Sequence, residues 1–334
     1  MKAYINAISY YLPNQVIDNS QISMEHPEWG ADKISSKTGI YKRHIAGKDE
    51  FASDMAVKAG LKLFEENNIN PNEIDFLLYC TQSPDYFLPT TACILQSKLG
   101  LSTNCGALDF NLGCSGYVYG LSLAKGLVLG GIAKNVLLIT SETYSKYINY
   151  LDKSNKTIFG DASTATLITK KEGLYEIGNF SLGTDGNGAE NLIVKNGGIR
   201  NLNKQSVDIF SDEGEYLHND SNLYMNGAAI FSFTSSAVPL LVNDALNKNN
   251  LVSDEIDYFV FHQANKYMLD FIRKKLSIPQ EKFIYHLEKI GNTVSNTIPI
   301  AIREECIIGQ KKGKFLLAGF GVGYSYASCV IISC

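Results

Sequence analysis

The sequence predicts an α/β fold made of two similar halves, residues 1–170 and 171–334. Three observations carry the prediction: an internal repeat, long unbroken apolar strands, and a globular composition. Residues 67–81 read NNINPNEIDFLLYCT and residues 249–263 read NNLVSDEIDYFVFHQ. At an offset of 182, Asn67, Asn68, Glu73, Ile74 and Asp75 fall on Asn249, Asn250, Glu255, Ile256 and Asp257. Each stretch follows an apolar helical pattern (Val57, Leu61 and Phe64; Leu240, Leu241 and Ala245) and runs into a strand, 76–80 or 258–261. Strands without polar alternation are expected to be buried on both faces. A second match has an offset of about 178 and pairs Gly113 with Gly291 and Cys114 with Asn292. There a helix from Ser115 to about Gly130 leads to a strand at Val136–Ile139. Its counterpart is a helix ending near Ile308, then a strand at Phe315–Ala318. The junction, residues 183–223, is rich in Gly, Asn, Asp and Ser and reads as surface loops.

The composition narrows the function. Of 334 residues, 45% are hydrophobic and 19% charged, and the net charge is −4, which argues against nucleic acid as the main partner. The apolar runs fall short of the ~18 residues of a membrane span, and the start lacks a signal-peptide pattern. The seven cysteines form no C-x-x-C pair or metal-ligand cluster, so no metal is expected. An odd number of scattered thiols suits a reducing cytoplasm.

One thiol stands apart. Cys114, in Leu112-Gly113-Cys114-Ser115-Gly116, lies where a strand gives way to a helix. Free N–H groups and the helix dipole favour a thiolate there. The alternative is a buried, inert cysteine. His262 follows the strand 258–261, at the strand end where open α/β sheets bind ligands, although such a histidine is often structural. Asn292 is the repeat mate of Cys114, so face-to-face packing of the halves brings the two together. Gly319-Phe320-Gly321-Val322-Gly323 is not a dinucleotide fingerprint; it is either a hairpin turn or a turn that aims a backbone N–H at an oxyanion. A thiol, a neutral imidazole and an amide suit acyl thioester chemistry, and the papain-type signature is absent.

These segments resemble the β-ketoacyl-acyl carrier protein synthase III family over nearly the whole chain. The resemblance rests on Lys37-Thr38-Gly39-Ile40 with Arg43-His44-Ile45, on Asp109 to Gly116, on Phe159-Gly160-Asp161-Ala162, on His262-Gln263-Ala264-Asn265, on Gly291-Asn292-Thr293 and on the glycine-rich segment from Gly319. It implies a thiolase fold, two duplicated halves in five αβαβα layers, and a homodimer. It also implies decarboxylative condensation of an acyl primer with malonyl-acyl carrier protein, initiating fatty acid biosynthesis in the cytoplasm. Cys114 is then the acylated nucleophile, His262 and Asn292 stabilise the enolate, and the N–H groups of Cys114 and Val322 form the oxyanion hole. The carrier protein docks on Gln263, Ala264, Asn265, Lys266, Tyr267, Arg273 and Lys274. No tightly bound cofactor is implied; the substrates are acyl-CoA or acyl-carrier thioesters and malonyl-acyl carrier protein.

Several positions depart from the family pattern. The Trp and two Arg that clamp adenine fall on Lys33, Lys37 and Lys153, which with Asn265 are the expected contacts for CoA or phosphopantetheine. Lysine cannot stack on adenine as those residues do, although Trp29 lies one helical turn from Lys33. Leu88 takes the position that gates the partner subunit's acyl pocket. These departures leave open a specialised relative serving polyketide, lipid or cell-surface glycan pathways.

Overall fold

The computed structural model describes residues 2–334. Nine strands form one mixed sheet: β1 (Tyr4–Tyr11), β2 (Phe76–Cys80), β3 (Gly106–Phe110), β4 (Asn135–Glu142), β5 (Ala162–Thr169), β6 (Tyr175–Thr184), β7 (Tyr258–Phe261), β8 (Lys314–Gly321) and β9 (Ser325–Ser333). The principal helices are α1 (Ala31–Thr38), α2 (Ala52–Asn67), α3 (Thr91–Lys98), α4 (Gly116–Leu129), α5 (Gly227–Lys248), α6 (Lys266–Lys275) and α7 (Thr297–Ala301).

The strand order displays the duplication. In the first half it runs β1-β5-β4-β2-β3, antiparallel for the first two pairings and parallel for the last two. The second half repeats this as β6-β9-β8-β7, and a single parallel bridge from Phe259 to Phe283 stands where a fifth strand would lie. Short pairing of β1 with β6 (Tyr4 with Glu176, Ile5 with Tyr175) joins the halves edge to edge.

The repeated residues perform the same work twice. Asn67 and Asn249 turn their amides back onto the carbonyls of Leu63 (2.9 Å) and Ala245 (2.7 Å) at the helix ends. Asn68 and Asn250 take φ of 51° and 54°, the left-handed conformation that Asn tolerates better than most side chains. The Asp75 carboxylate accepts the Asn135 N–H at 2.9 Å where β4 starts, and Asp257 accepts that of Lys314 at 2.8 Å where β8 starts.

Three apolar cores define five layers. Leu63 and Leu95 of α2 and α3 pack with Leu77 and Leu137 on the outer face of the first half. Val118 and Leu121 of α4, with Ile298 of α7, fill the centre between Leu78 and Leu138 on one side and Val260 and Leu317 on the other. Leu241 and Leu269 of α5 and α6 cover the outer face of the second half.

Some sequence expectations need correction. In α2 the buried face is Met55, Ala56, Ala59, Leu63 and Phe64, so Leu61 of the expected stripe is exposed. Leu240 is likewise 71% exposed, while Leu241 and Ala245 are buried. The helix expected to end near Ile308 is composite: a 3₁₀ turn (Val294–Asn296), α7, then a π-turn segment (Ile302–Ile308). Pro299 lies inside it, and a proline has no N–H for the regular i→i−4 ladder. α5 is long and apolar enough to cross a membrane by composition, contrary to the reading of the apolar runs. Its inner face buries Ile230, Val238, Leu241 and Val242 in the outer layer of the second half. The 183–223 region is more ordered than expected, with two small ladders, Leu192–Ile193 against Tyr224–Met225 and Ile209–Phe210 against Tyr216–His218.

Gly39 ends α1 at φ 72°, and a Cβ placed there would lie 2.5 Å from Lys266 Cβ. Gly39→Ala is expected to lower unfolding free energy by about 2 kcal/mol, read by urea denaturation. It should also loosen the seam between α1 and α6.

Candidate active site

Cys114 sits between the end of β3 and the first turn of α4, with its side chain 7% exposed. Two glycines of β8 make room for it. A Cβ on Gly319 would stand 2.6 Å from the Cys114 carbonyl oxygen, and one on Gly321 2.8 Å from Sγ. The β8–β9 connection is the hairpin that the glycine-rich segment allowed. At its tip, beside Cys114, lies Val322, whose backbone N–H together with that of Cys114 itself favours the thiolate. Ser115 Oγ ties the helix start to Ser325 Oγ of β9 at 2.7 Å. Gly321→Ala should therefore leave a folded protein whose Cys114 reacts with thioesters at least about tenfold more slowly, measured as the rate of adduct formation.

His262 stands at the end of β7 and Asn292 in the segment that precedes α7. His262 leaves β7 with its N–H on the Ala318 carbonyl of β8 (2.8 Å), three residues before Gly321. Its Nδ1 lies 2.8 Å from Thr297 Oγ1, which is also 3.1 Å from the Val294 carbonyl. The Asn292 carboxamide oxygen accepts the Val294 N–H at 2.9 Å, so its Nδ2 is the end left to donate. The Asn292 backbone is clamped to the first half: its N–H bonds Ile158 O at 2.9 Å and its carbonyl accepts the Gly160 N–H at 3.0 Å. Residues 292–297 thus link the imidazole and the carboxamide, and Ser295 of that segment meets Gly116 at the start of α4.

Burial governs the electrostatics. It lowers the His262 pKa to about 3, so the imidazole is neutral across the physiological range. It pushes the Cys114 thiol up to about 12, with the Glu142 charge acting in the same direction, while the two N–H groups oppose both. The thiolate preference expected from a helix N-terminus is thus outweighed by desolvation. Glu142 is itself fully buried; it accepts the Gln82 N–H at 3.1 Å and the Ser83 hydroxyl at 3.2 Å, and burial holds its carboxyl well above the usual range. A protonated Glu142 removes the opposing charge from Cys114. Peptide-resolved alkylation of Cys114 by iodoacetamide is expected to keep accelerating beyond pH 9, where an ordinary thiol of pKa ~8.5 approaches its plateau.

A cavity of about 660 Å³ adjoins this centre, lined by Gln82, Phe87, Asn111, Tyr144, Leu192 and Val322 among others. Tyr86 and Phe87 line it, whereas Leu88 is 86% exposed and forms no part of the cavity wall. A second cavity, about 810 Å³, runs between α1 and α6 and is lined by Lys37, Tyr41, Asn265, Lys266, Tyr267 and Lys274 among others.

The other expected contacts divide. Lys33 and Lys37 each hold Nζ 5.7 Å from the centroid of the Trp29 ring, so the aromatic face nearest the missing clamp is taken by lysines. Lys153 pairs with Glu28 (3.2 Å) and Glu215 (3.6 Å) in a separate pocket. Gln263 is buried, donating to the carbonyls of Phe261 (2.6 Å) and Ile284 (3.2 Å) and accepting the His286 N–H (2.7 Å), which removes it from any docking surface. Ala264 is half-buried against the outer core. Arg273 spends one guanidinium N–H on the Ile278 carbonyl beyond the end of α6 (3.0 Å). Lys266, Tyr267 and Lys274 remain on the groove, with Asn265 capping α6 through the Met268 N–H at 2.9 Å. Gln82, Glu142, Tyr144 and Thr297 were not singled out from sequence, where they carry no spacing signal.

A duplicated α/β scaffold with a buried thiol packed under Gly321 of β8 and a neutral imidazole at the end of β7, the strand beside β8, defines an acyltransferase of the thiolase-fold class. Two family models match, 3-oxoacyl-[acyl-carrier-protein] synthase III over residues 108–186 and its C-terminal counterpart over 246–332. β-Ketoacyl-[acyl-carrier-protein] synthase III of Clostridium perfringens is 36% identical over 96% of each chain. A crystal structure of a 3-oxoacyl-(acyl-carrier-protein) synthase III superimposes with a TM-score of 0.95 and 45% identity over 99% of both chains. The Burkholderia xenovorans LB400 synthase gives 0.88 at 34% identity, over 100% of this chain and 94% of its own. The chain belongs to the β-ketoacyl-acyl carrier protein synthase III family.

Proposed function

We propose that the chain performs the initiating condensation of fatty acid synthesis, with Cys114 carrying the acyl group. The observation that supports this most directly is the Cys114 sulfur held against Gly321 at the β8–β9 hairpin, where its own N–H and that of Val322 favour the thiolate. In this reading the Cys114 sulfur adds to the carbonyl of an acyl thioester as its thiol gives up its proton, the two N–H groups receive the oxyanion, and that proton leaves with the donor thiol. Malonyl-acyl carrier protein then loses CO₂. The Thr297 hydroxyl lies between His262 Nδ1 and the Val294 carbonyl and has one proton to give; when it serves Nδ1, the ring carries Nε2–H, which with the Asn292 Nδ2–H holds the enolate oxygen. The enolate carbon attacks the acyl-Cys114 carbonyl, forming the β-ketoacyl carrier product and releasing the Cys114 thiolate.

The division of labour follows the duplication: residues 1–170 supply the nucleophile, and residues 171–334 supply the imidazole and carboxamide. The acyl carrier protein would meet Lys266, Tyr267 and Lys274 beside the groove between α1 and α6. A homodimer would bring the exposed Tyr86-Phe87-Leu88 loop to a partner's acyl cavity, and the family likeness supports a cytoplasmic enzyme. The curated relatives, named for the general synthase, weigh toward fatty acid initiation rather than a specialised pathway. Intact-protein mass after incubation with acyl-CoA and acyl-carrier donors tests the reading. It requires one acyl mass on Cys114, discharged by holo-malonyl-acyl carrier protein; no adduct with any donor would refute it.

A further inference from the structure

The nucleophile is bordered by a polar group that neither the duplication nor the condensation chemistry demands. Gln82 lies directly against Gly113, where an added Cβ would stand 2.6 Å from both Gln82 Oε1 and Val322 Cγ1. Its carboxamide oxygen accepts from the Tyr144 hydroxyl. Its Nε2 donates to Asn111 Oδ1 at 2.9 Å, and its backbone carbonyl accepts from the Tyr147 hydroxyl at 2.7 Å. All four residues line the 660 Å³ cavity, and Tyr144 is anchored edgewise by Tyr147 and against Phe159. The carboxamide is therefore fixed in orientation rather than free to swing aside.

Counting donors shows what this wall lacks. Each amide nitrogen carries two N–H groups. Gln82 spends one on Asn111, and among the described residues its second N–H and both of Asn111 Nδ2 meet no protein acceptor. A plain alkyl chain laid along this wall would strip water from those donors and return nothing, whereas an acyl group with an oxygen at the right depth would satisfy one or two of them. Gln82 is half-buried and Asn111 exposed, so the discrimination arises where the bound acyl chain itself covers these donors and leaves them without a partner.

We propose that Gln82, with Asn111 and Tyr144, selects a primer whose acyl chain carries a hydroxyl or carbonyl oxygen beyond the thioester. The inference rests on the reading of Cys114 as the acylated residue. Its test compares 3-hydroxybutyryl and butyryl N-acetylcysteamine thioesters, which lack any nucleotide, by the rate of adduct formation on Cys114, with the acetyl thioester as reference. The native protein should react about tenfold faster with the hydroxylated donor. Gln82→Leu should reduce that preference to less than about twofold by speeding butyryl transfer, a gain that a merely disturbed fold would not produce. Asn111→Leu, at the exposed end of the pair, should move the ratio in the same direction if Gln82→Leu does not fold. Equal rates for the two donors in the native protein, or an unchanged ratio in both variants, would overturn the selection. Absence of an adduct with all three donors would instead overturn the assignment of Cys114 itself.

Discussion

Cys114→Ala is expected to gain no acyl mass from any thioester donor and to lose condensation by at least about 10³-fold, because no other thiol is placed to take over the covalent step. Among the described residues, Cys80 is the other thiol close to the start of α4. Its sulfur donates to the Leu112 carbonyl at 3.1 Å, and burial pushes its pKa well up. Cys93 and Cys334 are exposed but lie on α3 and at the chain end. The check is intact mass with peptide mapping: acylation confined to the Cys114 peptide in the parent and missing in the variant. The variant should keep the parent's unfolding midpoint, since removing a sulfur beside two glycines takes away little packing. A residual adduct elsewhere that is still discharged by holo-malonyl-acyl carrier protein would contradict the assignment.

His262→Ala and Asn292→Ala should separate the two half-reactions. Both variants are expected to form the acyl-Cys114 adduct at a rate within a few-fold of the parent, yet to lose malonyl decarboxylation and condensation by about 10²–10³-fold, the usual effect of removing one aimed oxyanion donor. Single-turnover adduct mass and ¹⁴CO₂ release from labelled malonyl-acyl carrier protein read the two steps independently. The sign of the pH dependence follows from the His262 pKa of about 3. Its imidazole stays neutral down to roughly pH 4, so it contributes no acid limb to condensation between pH 5 and 7, in the parent or in Asn292→Ala. Thr297→Val should affect the same step as His262→Ala but more weakly, since it frees the Nδ1 side of the ring without removing the Nε2 donor. Equal loss of acylation and decarboxylation in His262→Ala would place the imidazole at the first step instead.

Much of the architecture was readable along the chain because it depends on local signals. The repeated Asn-Asn and Asp residues announce helix ends and strand starts, and they act alike in both halves, at Asn67 and Asn249 and at Asp75 and Asp257. Unbroken apolar runs marked β2 and β7 to the residue. The helical stripes were less secure: Leu61 and Leu240 are exposed because a helix face is chosen by the neighbour it meets, which a short period cannot name. The composite segment at 294–308 escaped for a related reason, since its 3₁₀ and π turns bend around Pro299 and the packed centre of the molecule.

Sequence alone therefore determined the duplicated scaffold and singled out Cys114, His262 and Asn292, each standing at the end of a recognisable element. Tertiary structure alone decided how they are served. Gly321 makes room for the sulfur, Thr297 orients the imidazole, and Gln82 borders the site from a loop more than thirty residues away in the chain. It also turned Gln263 and Arg273 inward and let burial override the helix dipole at Cys114. The reason is physical: propensity and periodicity act between near neighbours, whereas desolvation and hydrogen-bond satisfaction depend on which distant segments the fold presses together.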